Sequence, residues 1–162
     1  MTSHMLLPML AANAVAVVFF VFTLYRPNGA RMVAGAGVIL SGLVNATLAL
    51  LDPQIYVNGL GPNAIGVYKT LITGLPVHGL GRLIVGIGLW QLVVGALILT
   101  NIREYVRLGC FAACFFLLGI SPLGPGCAFP SNLILAAGMV ALFFVKWPRQ
   151  AEAPVTKAGA KM

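Results

Sequence analysis

Five stretches of this chain are apolar enough to fill a bilayer, and none has an Asp, Glu, Lys, Arg or His at its centre. They are residues 6–25 (LLPMLAANAVAVVFFVFTLY), 32–51 (MVAGAGVILSGLVNATLALL), 83–101 (LIVGIGLWQLVVGALILTN), 105–121 (YVRLGCFAACFFLLGIS) and 130–147 (PSNLILAAGMVALFFVKW). A spanning helix needs about 20 mostly apolar residues, with roughly 17 to 25 tolerated. Lipid offers no hydrogen bonds, so such a segment must satisfy its backbone internally, as a helix does. The stretches therefore predict an all-α, polytopic transmembrane helix bundle of five spans. A four-span arrangement, with residues 6–25 peripheral, is the alternative. Composition agrees: 60% of residues are hydrophobic and 8% charged, where a soluble domain carries about 25% charged residues. So few charges cannot solvate a surface, and lipid must cover most of it. One domain, residues 1–147, is expected, with a flexible tail over 148–162.

The basic residues sort by side. Arg26 and Arg31 follow the first stretch, Arg103 and Arg107 lie at the start of the fourth, and Lys146, Arg149, Lys157 and Lys161 lie at or beyond the end of the fifth. With five spans all eight share one side, and only Lys69 and Arg82 face the other. Lys and Arg accumulate in cytoplasmic loops, which places the N-terminus outside and the C-terminus in the cytoplasm. The net charge of +7 thus reads as membrane orientation. No basic cluster is interleaved with exposed aromatics, so nucleic acid is not an expected partner. The first stretch lacks a basic n-region before its apolar run, so it reads as a retained span and not a signal peptide.

Uncharged polar groups lie within the spans. Gly37, Ser41 and Asn45 repeat every four residues and share one face of the second span. Gly88, Gln91 and Gly95 share a face of the third, with Trp90 beside them. Small residues let helices approach, and amides bond across the contact, so helix–helix packing is the first reading. The second is a polar pocket wall, with Ser41, Asn45, Trp90 and Gln91 as ligand-binding candidates. Absence of charge at depth argues against a pump or an ion-coupled transporter; a small neutral-solute transporter remains a further alternative.

The long connection, residues 52–82, is expected outside. Its middle, NAIGVYKTLITGL, suits an interfacial or re-entrant helix. Asp52 and Arg82 end and begin spans at the same surface, where they can pair. His78, Tyr56, Tyr68 and Lys69 complete a polar set. A His beside a carboxylate can act as general base, so these six are the catalytic candidates. The competing reading is a set of interfacial anchors at headgroup level. No clustered ligand spacing for a metal occurs, and no cofactor is expected.

The three cysteines are spread through the depth of the bilayer. Cys110 and Cys114 lie four apart on the fourth span, where a disulfide has poor geometry. Buried, they behave as small hydrophobes. Cys127 falls in the outer turn PLGPGCAFP.

Residues 31–145 resemble the DoxX-like membrane proteins. The likeness rests on an Arg opening a Gly-rich span (RMVAGAGVILSG), a long Gly/Pro connection, the span GIGLWQLVVGALILT, and two further spans. It implies a four-helix core to which residues 6–25 add a helix. Gln91 stands where many relatives carry Glu. The resemblance implies a link to quinone-linked sulfur oxidation, redox-stress assemblies or assembly chaperoning. The resulting expectation is a small accessory or assembly subunit of a membrane complex, with a protein partner or a second copy on its Gly-rich faces. The alternative is a membrane enzyme or binder of a lipophilic substrate (quinone, sterol or terpenoid) held between spans two and three.

The topology makes a direct prediction. A membrane-impermeant maleimide added from outside should label Cys127 and spare Cys110 and Cys114. Labelling of Cys110 before permeabilisation would overturn the arrangement.

Overall fold

The structure is a computed structural model and describes residues 3–60, 64–123 and 129–147, with side chains undescribed at 3–6 and 8. Cys127 and the tail 148–162 lie outside the described residues. The described chain is all-helical, apart from turns and short connections. Seven α-helices run in order: α1 (Ser3–Tyr25), α2 (Pro27–Leu51), α3 (Gln54–Leu60), α4 (Val67–Gly74), α5 (Val77–Leu99), α6 (Arg103–Ile120) and α7 (Ser131–Phe144). A 3₁₀ turn, Ser121–Leu123, extends α6.

Three segments are long and apolar enough to cross a membrane: Pro27–Leu51, Val77–Leu99 and Arg103–Leu123. Met9–Tyr25 and Ser131–Phe144 are shorter apolar helices. The chain is an integral membrane protein on this basis. Its exterior supports the reading. Val93, Phe115 and Phe144 are exposed, whereas the buried residues of α2 are Ala30, Ala34, Gly35, Gly42 and Ala49. Large apolar groups face outward and small ones inward, as suits a lipid solvent.

Helix ends follow local chemistry. Pro27 opens α2, where its missing N–H would have had no intrahelical partner and its φ is already helical. Pro76 precedes α5 and its carbonyl accepts the Leu80 N–H at 3.0 Å. The helix therefore starts at Val77, six residues before the apolar stretch begins. Gly79, Gly81 and Arg82 depress the local hydropathy there without breaking the helix.

Helices α1, α2, α5, α6 and α7 form a ring. α2 packs most extensively on α5, α5 on α6, α6 on α7, α7 on α1, and α1 more lightly on α2. The α2–α5 pair is the closest contact. Gly35, Gly42 and Ala49 on α2 meet Gly95, Gly88 and Gly81 on α5, seven residues apart on each helix and in antiparallel order. A Cβ on Gly42 would lie 2.6 Å from the Gly88 carbonyl oxygen; one on Gly88 would lie 2.7 Å from that of Gly42. A Cβ on Gly95 would lie 2.7 Å from the Gly35 carbonyl oxygen. A repeat of seven keeps small residues on one seam of two helices crossing at a shallow angle.

This corrects one detail of the sequence reading. The face of α2 that packs is the Gly35/Gly42/Ala49 face; Gly37 has no atom within 4 Å of a built Cβ, and Ser41 is exposed. On α5, Gly88, Gln91 and Gly95 are buried together, as the packing reading expected.

Two clusters of buried side chains occupy the bundle. One, around Val94, Ile98, Val106, Cys110 and Leu142, fills the half nearer the α1–α2 and α5–α6 connections. The other, Ala49, Ala64, Ile72, Leu80 and Ile84, joins α2 and α5 to the 52–82 segment. The first half is called the basic end below, because Arg31, Arg103 and Arg107 lie there; the second is the covered end.

Gly88→Ala should lower stability by about 1–3 kcal/mol through overpacking. Gly86→Ala, where a Cβ meets nothing within 4 Å, should leave it unchanged or slightly raised. Thermal unfolding in detergent would check both.

Candidate functional site

Each element of the ring contributes to one internal space. A cavity of about 600 Å³ lies between the two buried clusters, lined from α1, α2, α5, α6 and α7 and closed by α3 and the 3₁₀ turn. Its size falls in the range of small-molecule sites, roughly 300–1,000 Å³. On α2 its wall runs from Val33 to Asn45, about 18 Å at the helical rise. The space is therefore elongated along the bundle.

Its polarity is graded. Towards the basic end it meets Ala34, Val94, Ala113 and Met139, all apolar and buried. Towards the covered end Asn45, Gln91 and Tyr56 stand among apolar residues such as Leu60, Ile84 and Leu123. The Asn45 Nδ2 donates to Gln91 Oε1 at 3.0 Å. The Tyr56 hydroxyl stands 3.1 Å from the Asn45 backbone oxygen and 3.2 Å from Asn45 Oδ1. Its single proton can serve one of these at a time. Gln91 is only 4% exposed, and a buried amide is costly unless bonded; Asn45 supplies the bond. Ser41 lines the same wall one turn from Asn45. No charged side chain is among the lining residues described.

The segment 52–82 covers the polar end. Besides Tyr56, Tyr68 on α4 donates to the Gly119 carbonyl at the end of α6. The Ile65 N–H bonds the Pro122 carbonyl at 3.3 Å. The cover is thus tied to α2 through α3 and to α6 through α4. Trp90 and Phe116, also on the cavity wall, meet with ring centroids 5.4 Å apart and planes at 51°. Val15, Val33, Gly37 and Ser41 line the cavity from α1 and α2 yet are exposed. Trp90 on α5 is exposed as well; the space is open to the outside, and α1 and α2 are the loosest neighbours in the ring.

All four expected ligand-binding positions, Ser41, Asn45, Trp90 and Gln91, stand on this one wall. The six catalytic candidates do not come together. Tyr56 lines the cavity, and Tyr68 anchors the cover. Lys69, His78 and Arg82 are exposed, and Asp52 accepts the Gln54 N–H at 3.1 Å, a local turn and not a pair with Arg82. Sequence reasoning missed the contributions of α1 and α7. Asn132, Leu135 and Met139 line the cavity from α7, and their i, i+3, i+7 spacing was the available signal.

The sequence matches no protein-family pattern and no curated protein, and the fold matches no solved structure. The cavity must be read from its own chemistry.

Burial raises the Tyr56 phenol above its ordinary 10.0. A raised folded-state value means its stabilising contribution is complete below pH 10 and falls as pH rises beyond it. Tyr56→Phe should cost about 0.5–1.5 kcal/mol at neutral pH and flatten the alkaline loss of stability. Chemical or thermal unfolding at pH 7 and pH 10.5 would measure both.

Proposed function

We propose that this protein is a five-span membrane protein that holds an uncharged, elongated lipophilic molecule, with its polar end under the cover. The observation that supports this reading is the graded cavity: an apolar length ending at Asn45, Gln91 and Tyr56. These groups donate and accept hydrogen bonds but bear no charge. They suit a carbonyl or hydroxyl on a hydrocarbon body, as in a quinone, sterol or terpenoid. An opening between α1 and α2 would admit such a molecule from the bilayer without exposing it to water.

In this proposal α1 and α7 cross the membrane with α2, α5 and α6. The N-terminus and the cover lie outside, and the basic end faces the cytoplasm, following the eight-to-two division of Lys and Arg. The DoxX-like likeness belongs to the same proposal: residues 31–145 take in α2 to α7, and α1 closes the ring beside them. The accessory-subunit expectation is compatible with this site, with the ligand held for a partner complex. The cavity favours the binder reading.

Two substitutions separate pocket from fold. Ala113→Phe should fill the apolar half, and Asn45→Leu with Gln91→Leu should remove the polar end while preserving volume. A quinone with a short isoprenoid tail quenches nearby tryptophan, and Trp90 stands on the wall. Saturable quenching of the purified protein is expected, with affinity reduced at least about tenfold by either change, equal to about 1.4 kcal/mol. A sterol or terpenoid alcohol that displaces the quinone would place the ligand in those classes. Linear, unsaturable quenching that both variants share, with no competition by either alcohol, would sink the proposal.

A further inference from the structure

The basic end holds donors that nothing in the described chain satisfies. The Nε atoms of Arg31, Arg103 and Arg107 and the indole Nε1 of Trp147 are buried and have no hydrogen-bond partner. Trp147 is 8% exposed. Although it closes the last apolar stretch, it is folded into the bundle. The Arg31 guanidinium lies 5.4 Å from the Trp147 ring centroid, and that of Arg107 lies 5.6 Å from the Phe143 ring centroid. Both arginines thus close on the end of α7, from α2 and from α6.

Their other ends are only partly used. Arg31 donates through Nη1 to the Thr100 carbonyl and through Nη2 to Asn101 Oδ1 at 3.1 Å. Arg103 and Arg107 are one turn apart on α6 and half-buried. The N-terminus of α6 itself has no side-chain cap, so its first N–H groups and the positive end of its dipole add to the field. The acid described at this end is Glu104, which is exposed. Arg31 on α2, Arg103 and Arg107 on α6, the Trp147 indole N–H and the start of α6 are therefore the polar groups of this end, with one exposed acid, Glu104, described beside them. A buried donor without a partner costs about 1–3 kcal/mol, a cost that an acceptor with several oxygens would remove.

We propose that the basic end binds the phosphate of an anionic phospholipid headgroup, received between α2, α6 and the end of α7. A phosphodiester offers several acceptor oxygens and a full negative charge, matching guanidinium donors that can bond it in pairs. The exposed apolar surface below, including Leu108, Phe111 and Phe144, supplies a track for the acyl chains. Basic pockets between spans at one membrane surface are suited to such headgroups. The site is separate from the cavity and independent of what the cavity holds.

The test uses the full chain in neutral detergent, with phosphatidylglycerol, phosphatidylcholine and inorganic phosphate as probes and native mass spectrometry as readout. Phosphatidylglycerol should bind at least about tenfold more tightly than phosphatidylcholine. Arg103→Gln with Arg107→Gln should remove that preference, at about fivefold per arginine. Trp147→Phe keeps an aromatic face for Arg31 and removes the N–H together with the pyrrole part of the indole; it should weaken phosphatidylglycerol binding several-fold. Trp147→Phe thus keeps the test decisive if the double variant does not fold. Millimolar inorganic phosphate should leave the bound lipid in place; its displacement would mean a soluble-anion site and overturn the lipid assignment. Equal binding of the two lipids, or an unchanged preference in Trp147→Phe, would overturn it as well.

Discussion

The close approach of α2 and α5 sets the rest of the bundle. Gly35, Gly42 and Ala49 meet Gly95, Gly88 and Gly81 with backbone oxygens where a Cβ would otherwise stand. Within lipid there is no hydrophobic drive to bring two apolar helices together. Contact distance must therefore supply the association through dispersion and weak Cα–H···O contacts. A heptad of small residues does this over almost the whole length of both helices. It also fixes rotation about each axis. Once Gly42 faces Gly88, Ser41 is left exposed and Asn45 stands beside the seam, where it bonds Gln91 on α5.

That rotation accounts for the cavity. Ser41 and Asn45 of the four-residue repeat line an internal space, and Asn45 also bonds across the α2–α5 contact. Gln91 lies at the edge of the seam, its Cβ close beside Gly42, and its amide reaches Asn45. The remaining helices complete the ring, with α1 joined more firmly to α7 than to α2. The chain thereby keeps an elongated, uncharged space with one hydrogen-bonding end. The 52–82 segment covers that end by placing Tyr56 on Asn45 and Tyr68 on Gly119.

The two ends of the molecule differ in electrostatic character. At the covered end the polar groups Asp52, Lys69, His78 and Arg82 remain at the surface, and no charged residue is among those described that line the cavity. At the other end, Arg31 packs on Trp147 and bonds the carbonyl of Thr100, the C-cap of α5, Arg107 packs on Phe143, and Arg103 is half-buried one turn from Arg107. An arginine bonded to a helix C-terminus is favourable through the dipole as well as the hydrogen bond. Arg31 therefore ties α2 to the α5–α6 connection while its Nε stays unpartnered.

By itself the sequence determined the class. Long apolar runs without central charge admit helices and lipid and little else. It also showed the polar quartet Ser41, Asn45, Trp90 and Gln91, because amides and a hydroxyl stand out in an apolar run. The tertiary structure decided which glycine repeat packs. Two repeats, of four and of seven, coexist on α2, and periodicity names a face without naming its partner. It decided that Trp147 is buried, since a residue at a span end has the same sequence signature whether it faces headgroups or α2. It alone produced the cavity, which is a space left among five helices and has no residue of its own to announce it.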